Sequence, residues 1–361
     1  MKQISLFILV ILFTLTCRAQ NHYQINGKIS GQTRGSLLLV RNDGMKADTI
    51  GSTELKNGVF IFNGQLNGPA GGYITTTDGS LTIPLIVEPG NIMINVTPNG
   101  ALIQGGKQQK LFTRYNLIGQ NFAAEQAKIQ AAAQQPEADM KNLQARIDKA
   151  YWESTEQTNR LIQENANEYA TAYVISLGIL NETEESLQQK YNLLGDAAKN
   201  SIPGKHVATA LNQFSKLAVG KEAPDFTAGM PNGDTFSMYA VPAKFKLLVF
   251  WTSTDAASRQ LNPELIQLYQ HYRPKGLEII SISLDDDLMV WRKAIEMDGL
   301  VWRNGSDLKG RNSDIAKLYM VNTVPYTVLI GEENKIIAKG LLGKELRNTI
   351  ADLTKKSKKN K

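Results

Sequence analysis

Two dense apolar segments, Lys246–Phe250 and Leu277–Leu284, constrain the second half of this sequence more than any other feature. Such runs, with little alternation of apolar and polar residues, are typical of parallel strands buried on both faces. Between them, Asn262–Tyr272 has the apolar spacing of a helix. A buried strand, a helix and a second buried strand predict an α/β domain.

The pattern after Gly220 continues this order. Further elements are predicted in sequence as two helices at Met289–Met297 and Ser313–Tyr319, a hairpin of Tyr326–Ile330 and Lys335–Lys339 turning at Glu333-Asn334, and a last helix at Glu345–Leu353. The resulting β-α-β-α-β-β-α order predicts a mixed sheet covered by helices.

The first third of the chain has a different pattern. From about Tyr23 to Gly106, short alternating stretches such as Gly58-Val-Phe-Ile-Phe are interrupted by turn dipeptides such as Asn57-Gly58 and Pro89-Gly90. Turns at intervals of about eight to twelve residues favour an antiparallel, sandwich-like or open-barrel domain.

The middle of the chain is predicted to be helical. Leu111, Tyr115, Ile118 and Phe122 form one apolar stripe, Pro136 breaks the pattern, and Leu143, Ile147 and Tyr151 resume it. We interpret these stripes as core faces rather than docking faces. The predicted organisation is a leader at 1–19, an all-β domain at 20–106, a helical segment at 107–216, an α/β domain at 217–354 and a basic tail at 355–361.

The N-terminus has the pattern of an export signal. Lys2 precedes the apolar run Leu6–Leu15, which is shorter than the roughly 20 residues of a membrane span. Small residues before Gln20 suit cleavage after Ala19, and acylation of Cys17 is the alternative. We expect a periplasmic or cell-envelope protein, in contact with the membrane only if it is lipidated at Cys17.

Net charge excludes little in this chain. The formal charge is +6, but Lys2 and Arg18 belong to the predicted leader and five lysines to the tail. Removing these seven positive charges leaves a net charge of −1 for the body. No basic surface for nucleic acid is expected.

From Gly220 onward the residues resemble the TlpA/ResA-like branch of secreted thioredoxin-fold proteins, within the AhpC/TSA-redoxin superfamily. The resemblance is carried by Gly220-Lys-Glu-Ala-Pro-Asp-Phe-Thr as the opening strand, by Trp251-Thr-Ser with Arg259 and Pro263-Glu-Leu, and by Ile315–Ile330 around Pro325. It implies a thioredoxin-like fold with Pro325 in the cis form. Residues from Tyr23 to Asn91 resemble a small β domain of unknown function that often precedes such modules.

The chain departs from this family at the redox site. The register of Trp251 and Arg259 places Asp255 and Ser258 where the family has its two cysteines, and Thr254 replaces the usual aromatic residue. Disulfide exchange needs a thiolate to attack one sulfur and a second thiol to resolve the mixed disulfide. Since Cys17 is the single cysteine of the sequence, we expect no thiol chemistry from this domain itself. The replacements instead favour a well-capped helix, with Thr254 or Asp255 as the cap.

Other chemistries find weaker support. A hydrolytic pair of Asp255 and Ser258 needs a base, and His271 lies thirteen residues beyond Ser258, about 20 Å along one helix. Asp285-Asp-Asp is interpreted as a solvated acidic loop rather than a metal site. No phosphate-binding glycine loop is present, and no cofactor is expected.

A surface remains as the candidate functional feature. The resemblance implies a groove between the helix start and the proline loop, with Trp251, Thr254, Asp255, Ser258, Val324, Pro325 and Tyr326 as its residues. The Val324 backbone is expected to pair with an extended peptide. We expect a redox-inactive module that binds or scaffolds exported proteins or peptides. The alternatives are a thiol-disulfide oxidoreductase that uses a partner's thiols, and a supporting unit for a functional N-terminal domain. The oligomeric state is left open.

Overall fold

The computed structural model describes residues 21–44 and 46–359, apart from the side chains of 356–359. The predicted leader, its cleavage site and Cys17 lie outside the described residues. Contacts divide the chain into two compact units, one running to Leu177 and including Gln189–Val207, the other comprising Gly178–Gln188 and Ala208–Lys361. The boundaries expected from the sequence stay predictions. None of the described helices combines the length and apolarity that crossing a membrane requires.

The first unit contains one eight-stranded sheet. Its strands are β1 (His22–Ile29), β2 (Arg34–Asn42), β3 (Ala47–Lys56), β4 (Val59–Gln65), β5 (Ala70–Thr76), β6 (Thr82–Val87), β7 (Gly90–Thr97) and β8 (Gly100–Gln104). Their order in the sheet is β6-β5-β2-β3-β4-β1-β7-β8. Alternate residues of β1, β4 and β7 enter a core that includes Ile25, Phe60 and Ile92, which explains the alternating sequence.

One strand pairing departs from the antiparallel structure expected for this region. The first strand β1 pairs antiparallel with β4 but parallel with β7, so that Ile25 lies opposite both Phe62 and Ile92. The backbones of β2 and β5 approach each other closely at Gly72. A Cβ at this position would lie 2.0 Å from the Val40 carbonyl oxygen, so only glycine fits there.

Helices fill the middle of the chain as predicted. They are α1 (Lys107–Ala133), α2 (Met140–Glu164), α3 (Tyr169–Leu177), α4 (Glu184–Leu193), α5 (Asp196–Asn200) and α6 (Ile202–Lys216). The break at Pro136 separates α1 from α2, and Leu111 and Tyr115 are buried. Tyr151 is 63% exposed, so the predicted core stripe does not extend to it.

The second unit is an α/β domain, and the predicted fold class is confirmed. Its elements are β9 (Thr227–Gly229), β10 (Thr235–Ser237), β11 (Phe245–Trp251), α7 (Ala256–Tyr272), β12 (Leu277–Ser283), α8 (Leu288–Asp298), β13 (Arg303–Ser306), α9 (Asp314–Leu318), β14 (Tyr326–Ile330), β15 (Ile336–Lys339) and α10 (Gly343–Lys359). The sheet order is β10-β9-β13-β12-β11-β14-β15, with β11, β12 and β13 parallel.

Burial explains the apolar runs. Every residue of β11 is buried because separate cores pack on the two faces of the sheet, one containing Phe250 and the other Trp251. Lys246 is buried as well, and its ammonium donates hydrogen bonds to the Met238 carbonyl oxygen and to Asn334 Oδ1. The predicted opening strand needs a correction, since 220–226 is not a strand and β9 begins at Thr227.

Candidate functional site

The candidate site begins where β11 ends and α7 starts. A short loop of residues 252–255 joins the two, and the first turn of α7 is capped by Asp255, whose carboxylate accepts a hydrogen bond from the Ser258 amide at 2.6 Å. The cap is therefore Asp255 rather than Thr254, which is exposed. Asp255 and Ser258 lie at the tip of the first long helix of this unit, as their register predicts.

Neither of these positions offers sulfur chemistry. Ser258 is 1% exposed, and its hydroxyl oxygen has no hydrogen-bond partner. The Asp255 carboxylate contacts the backbone of Ser258 and not its hydroxyl, so the two side chains do not form a nucleophile and base. The exposed His271 lies near the far end of α7, where its ring contacts Lys275. The geometry therefore supports neither hydrolysis nor self-contained disulfide exchange.

Trp251 does not line a surface, which corrects the sequence expectation. Its side chain is 1% exposed and packs in the core on one face of the sheet. The indole therefore supports the loop from beneath and is not available to a ligand from solvent.

The buried Asp285 holds the loop of residues 252–255 in place. This corrects the expectation that Asp285 belongs to a solvated acidic loop. It is 6% exposed, and its carboxylate accepts hydrogen bonds from the hydroxyls of Thr252, Ser253 and Ser283 at 2.6–2.7 Å and from the Ser253 amide at 3.1 Å. Buried carboxylates are stable only when hydrogen bonds replace those made to water, and both oxygens of the Asp285 carboxylate accept such bonds. The signal in the sequence is a serine two residues before the aspartate at the end of a buried strand. Asp286 and Asp287 are exposed, as expected.

A second ionic contact holds the start of α7. The guanidinium of Arg259 donates two hydrogen bonds to the Asp298 carboxylate, at 2.5 and 2.6 Å, and a third to the Ser253 carbonyl oxygen at 3.1 Å. The paired carboxylate raises the pKa of Arg259 above its ordinary value. Asn262 also donates to Asp298, so one carboxylate joins the end of α8 to the first two turns of α7. The loop is fixed from two directions.

The proline loop lies beside this helix start. Phe250 pairs with Tyr326 in the antiparallel contact of β11 and β14, which brings the residues before Tyr326 next to the loop after β11. The Val324–Pro325 peptide bond is cis, as the resemblance implies. Val324, Pro325 and Tyr326 are half-buried. Burial raises the pKa of the Tyr326 hydroxyl.

The backbone of Val324 is open to a ligand. Within the part of the chain that the structure describes, neither its N–H nor its carbonyl oxygen takes part in a hydrogen bond. Backbone N–H and C=O groups are obligatory hydrogen-bonding groups, so these two are left for water or for a ligand. Of the predicted binding residues, the structure therefore brings together Thr254, Asp255, Val324, Pro325 and Tyr326 at one edge, with Trp251 and Ser258 below the surface.

No metal centre emerges from these residues. The described residues contain no group of three or more histidine, cysteine, aspartate or glutamate side chains that could hold a metal ion.

Two regions of the chain match known protein families. Residues 243–336 match the family model described as thioredoxin-like, and residues 23–112 match a domain of unknown function, DUF4369. The thiol-disulfide oxidoreductase ResA of Bacillus thuringiensis strain Al Hakam is 26% identical over 141 residues, covering 39% of this chain and 79% of that protein. ResA of Geobacillus thermodenitrificans is 26% identical over 140 residues, covering 38% and 79%. A solved thiol-disulfide oxidoreductase from Bacteroides fragilis is 32% identical, covering 37% of this chain and 99% of that chain, with a TM-score of 0.36. The resemblance found in the sequence is confirmed.

Proposed function

We propose that this chain, whose C-terminal domain is thioredoxin-like and related to thiol-disulfide oxidoreductases, binds exported polypeptides at the Val324 edge and acts in thiol–disulfide exchange with thiols that a partner supplies. The relatives are named for that chemistry, whereas this domain contains no cysteine. In this proposal the present chain supplies the binding surface, and the partner protein supplies the thiols.

The unpaired backbone of Val324 is the observation that carries this proposal. An extended peptide that lies along it gains main-chain hydrogen bonds of the kind made in strand addition. The rigidly held loop of residues 252–255 forms the facing wall of the groove. A cysteine that such a polypeptide carries opposite the start of α7 lies next to Asp255, at the position where the family has its attacking thiol.

The chemistry in this arrangement is a three-partner exchange. A thiolate of a dithiol partner attacks one sulfur of a disulfide in the bound polypeptide, a new sulfur–sulfur bond forms, and the other sulfur leaves as a thiolate. The second thiol of the partner then displaces the polypeptide, so the partner is oxidised by the two electrons that the polypeptide gains. This chain supplies orientation and no electrons.

A second candidate function is a non-catalytic binding or scaffolding module. It is favoured by the carboxylate of Asp255, because a negative charge beside a bound thiol disfavours its thiolate form. In that case the domain holds reduced polypeptides without promoting exchange. Localisation in the cell envelope belongs to both proposals and rests on the predicted leader.

The two functions are separated by one pair of measurements on the chain without its leader. We expect the chain to bind an unfolded, disulfide-containing peptide and to accelerate its reduction by dithiothreitol. Binding without acceleration would select the scaffolding function. Absence of binding would refute both functions. The variant Pro325→Thr is expected to weaken peptide binding. Its thermal unfolding midpoint shows whether the variant is folded.

Restored cysteines test whether this edge is the working site. The double variant Asp255→Cys, Ser258→Cys is expected to reduce insulin on its own with a dithiol regenerating it. The control Thr254→Cys, Ala257→Cys has the same spacing shifted by one residue, and we expect it to be inactive. Equal activity of both pairs would contradict the assigned register.

A further inference from the structure

Apolar side chains are exposed in succession beside the candidate site. Leu288, Met289 and Val290, the first turn of α8, are 37%, 69% and 45% exposed, and Leu308 is 36% exposed. We call these four residues the apolar rim. Single exposed apolar residues are common, but contiguous ones mark interaction surfaces, and methionine adapts to varied partners.

The apolar rim and the Val324 backbone lie at the same end of the sheet, where the parallel strands β11, β12 and β13 finish. Asp285 precedes the apolar rim by three residues and is bonded to Thr252 and Ser253 of the site loop. On the other side, the loop that carries Leu308 reaches the same place, since a Cβ on Gly310 would lie 3.5 Å from the Asp286 side chain. The segments after β11, β12 and β13 therefore form one continuous surface, as expected for the carboxyl ends of parallel strands.

This surface is acidic as well as apolar. Asp255, Asp286, Asp287 and Asp307 carry carboxylates that form no ion pair within the described residues. Lys309 lies on the same loop but is paired with Asp314. Three exposed cations lie on the same segments without an ion pair in the described part of the chain, namely Arg311 on that loop and Arg292 and Lys293 in the second turn of α8. The four carboxylates outnumber them by one, so the balance is slightly negative.

A buried polar group at this edge also lacks a partner. The hydroxyl of Ser258 lies below Asp255 without a hydrogen bond, although its side chain is almost fully buried. Buried hydroxyls normally have hydrogen-bond partners in the protein or in ordered water. The edge thus combines an open backbone, exposed apolar groups and unneutralised carboxylates.

We infer that the polypeptides bound at this edge are extended segments in which apolar side chains stand next to lysine or arginine. The inference rests on the proposed function and specifies its substrate class. The apolar side chains cover the apolar rim, and the cations lie against Asp286 and its acidic neighbours. Charge complementarity of this kind favours the matched partner and repels an acidic one.

Labelled peptides of one apolar sequence, flanked by lysine, serine or glutamate, test this inference by fluorescence anisotropy. With the full chain without its leader, the lysine-flanked peptide should bind at least about tenfold more tightly than the glutamate-flanked one at low salt. Asp286→Lys should reverse that order. Met289→Asp should weaken binding of all three peptides, and the matched control Met297→Asp, 68% exposed at the far end of α8, should not.

The outcomes separate the inference from the proposed function. If no peptide binds the wild-type chain, the proposed function fails first. If peptides bind equally whatever their charge, or if Met289→Asp and Met297→Asp bind alike, the substrate class is wrong while the binding function stands. Self-association that Met289→Asp abolishes would place a second copy on the apolar rim and also overturn the inference.

Discussion

Replacement of Asp285 by asparagine should loosen the loop that carries the candidate site. The change keeps the size of the side chain but removes its charge, and one of its two acceptor oxygens becomes a donor. In the wild-type chain three hydroxyls and one amide donate to this carboxylate. Bonds to charged groups contribute about 1.5–3 kcal/mol each, and an unpaired buried donor costs about 1–3 kcal/mol.

The expected cost follows from how many donors lose their partner. One orientation of the asparagine leaves its oxygen facing Thr252 and Ser253, so the Ser283 hydroxyl loses its acceptor. We expect a loss of about 2 kcal/mol in the free energy of unfolding. For a unit of this size that corresponds to about 6 °C in the unfolding midpoint. Asp285→Ala removes every acceptor and should cost about 3–5 kcal/mol.

Tryptophan fluorescence can report this unit alone. Trp251, Trp291 and Trp302 are buried in it, whereas Trp152 lies exposed on α2. Urea unfolding of Asp285→Asn in a Trp152→Phe background therefore follows the unit that contains the site. The matched control is Asp286→Asn, an exposed neighbour whose loss should change stability by less than about 0.5 kcal/mol. Equal effects of the two substitutions would refute the role assigned to Asp285.

Three further predictions concern other contacts. Arg259→Met leaves Asp298 with a single side-chain donor and should lower the free energy of unfolding by about 1–3 kcal/mol, as urea titration would measure. Burial lowers the pKa of His206 below its ordinary 6.5, so that below this pH the unfolded chain takes up a proton that the folded chain resists. Stability should therefore fall as the pH drops below about 6.5, and His206→Gln should reduce that slope in unfolding titrations between acid and neutral pH. Gly72→Ala places a methyl group 2.0 Å from the Val40 carbonyl oxygen and should destabilise the first unit by about 3 kcal/mol or more, seen by calorimetry; an unchanged midpoint would contradict this packing.

Local patterns in the sequence were sufficient for most elements of the fold. The runs around Leu248 and Ile280 predict buried strands because both faces of the sheet are covered. Thr254 and Asp255 predict a capped helix start, and the structure shows which of the two is the cap. Such features depend on residues close together in the chain.

The missed features depend on contacts between distant residues. Asp285 resembles its two exposed neighbours until Thr252 and Ser253 are brought against it. Trp251 belongs to the segment expected to form a groove, but which face of β11 it occupies is decided by the core beneath α7 and α8. The parallel pairing of β1 with β7 leaves no periodic signal, because alternation is the same for both strand directions.

That parallel pairing makes the first strand a central one. Since β1 lies between β4 and β7, a chain that emerges N-terminus first cannot complete this sheet until the segment ending at Thr97 is also available. The first unit should therefore stay unfolded through the early part of synthesis or translocation. Proteolytic loss of the few residues of β1 would separate β7 and β8 from the other five strands instead of trimming an edge.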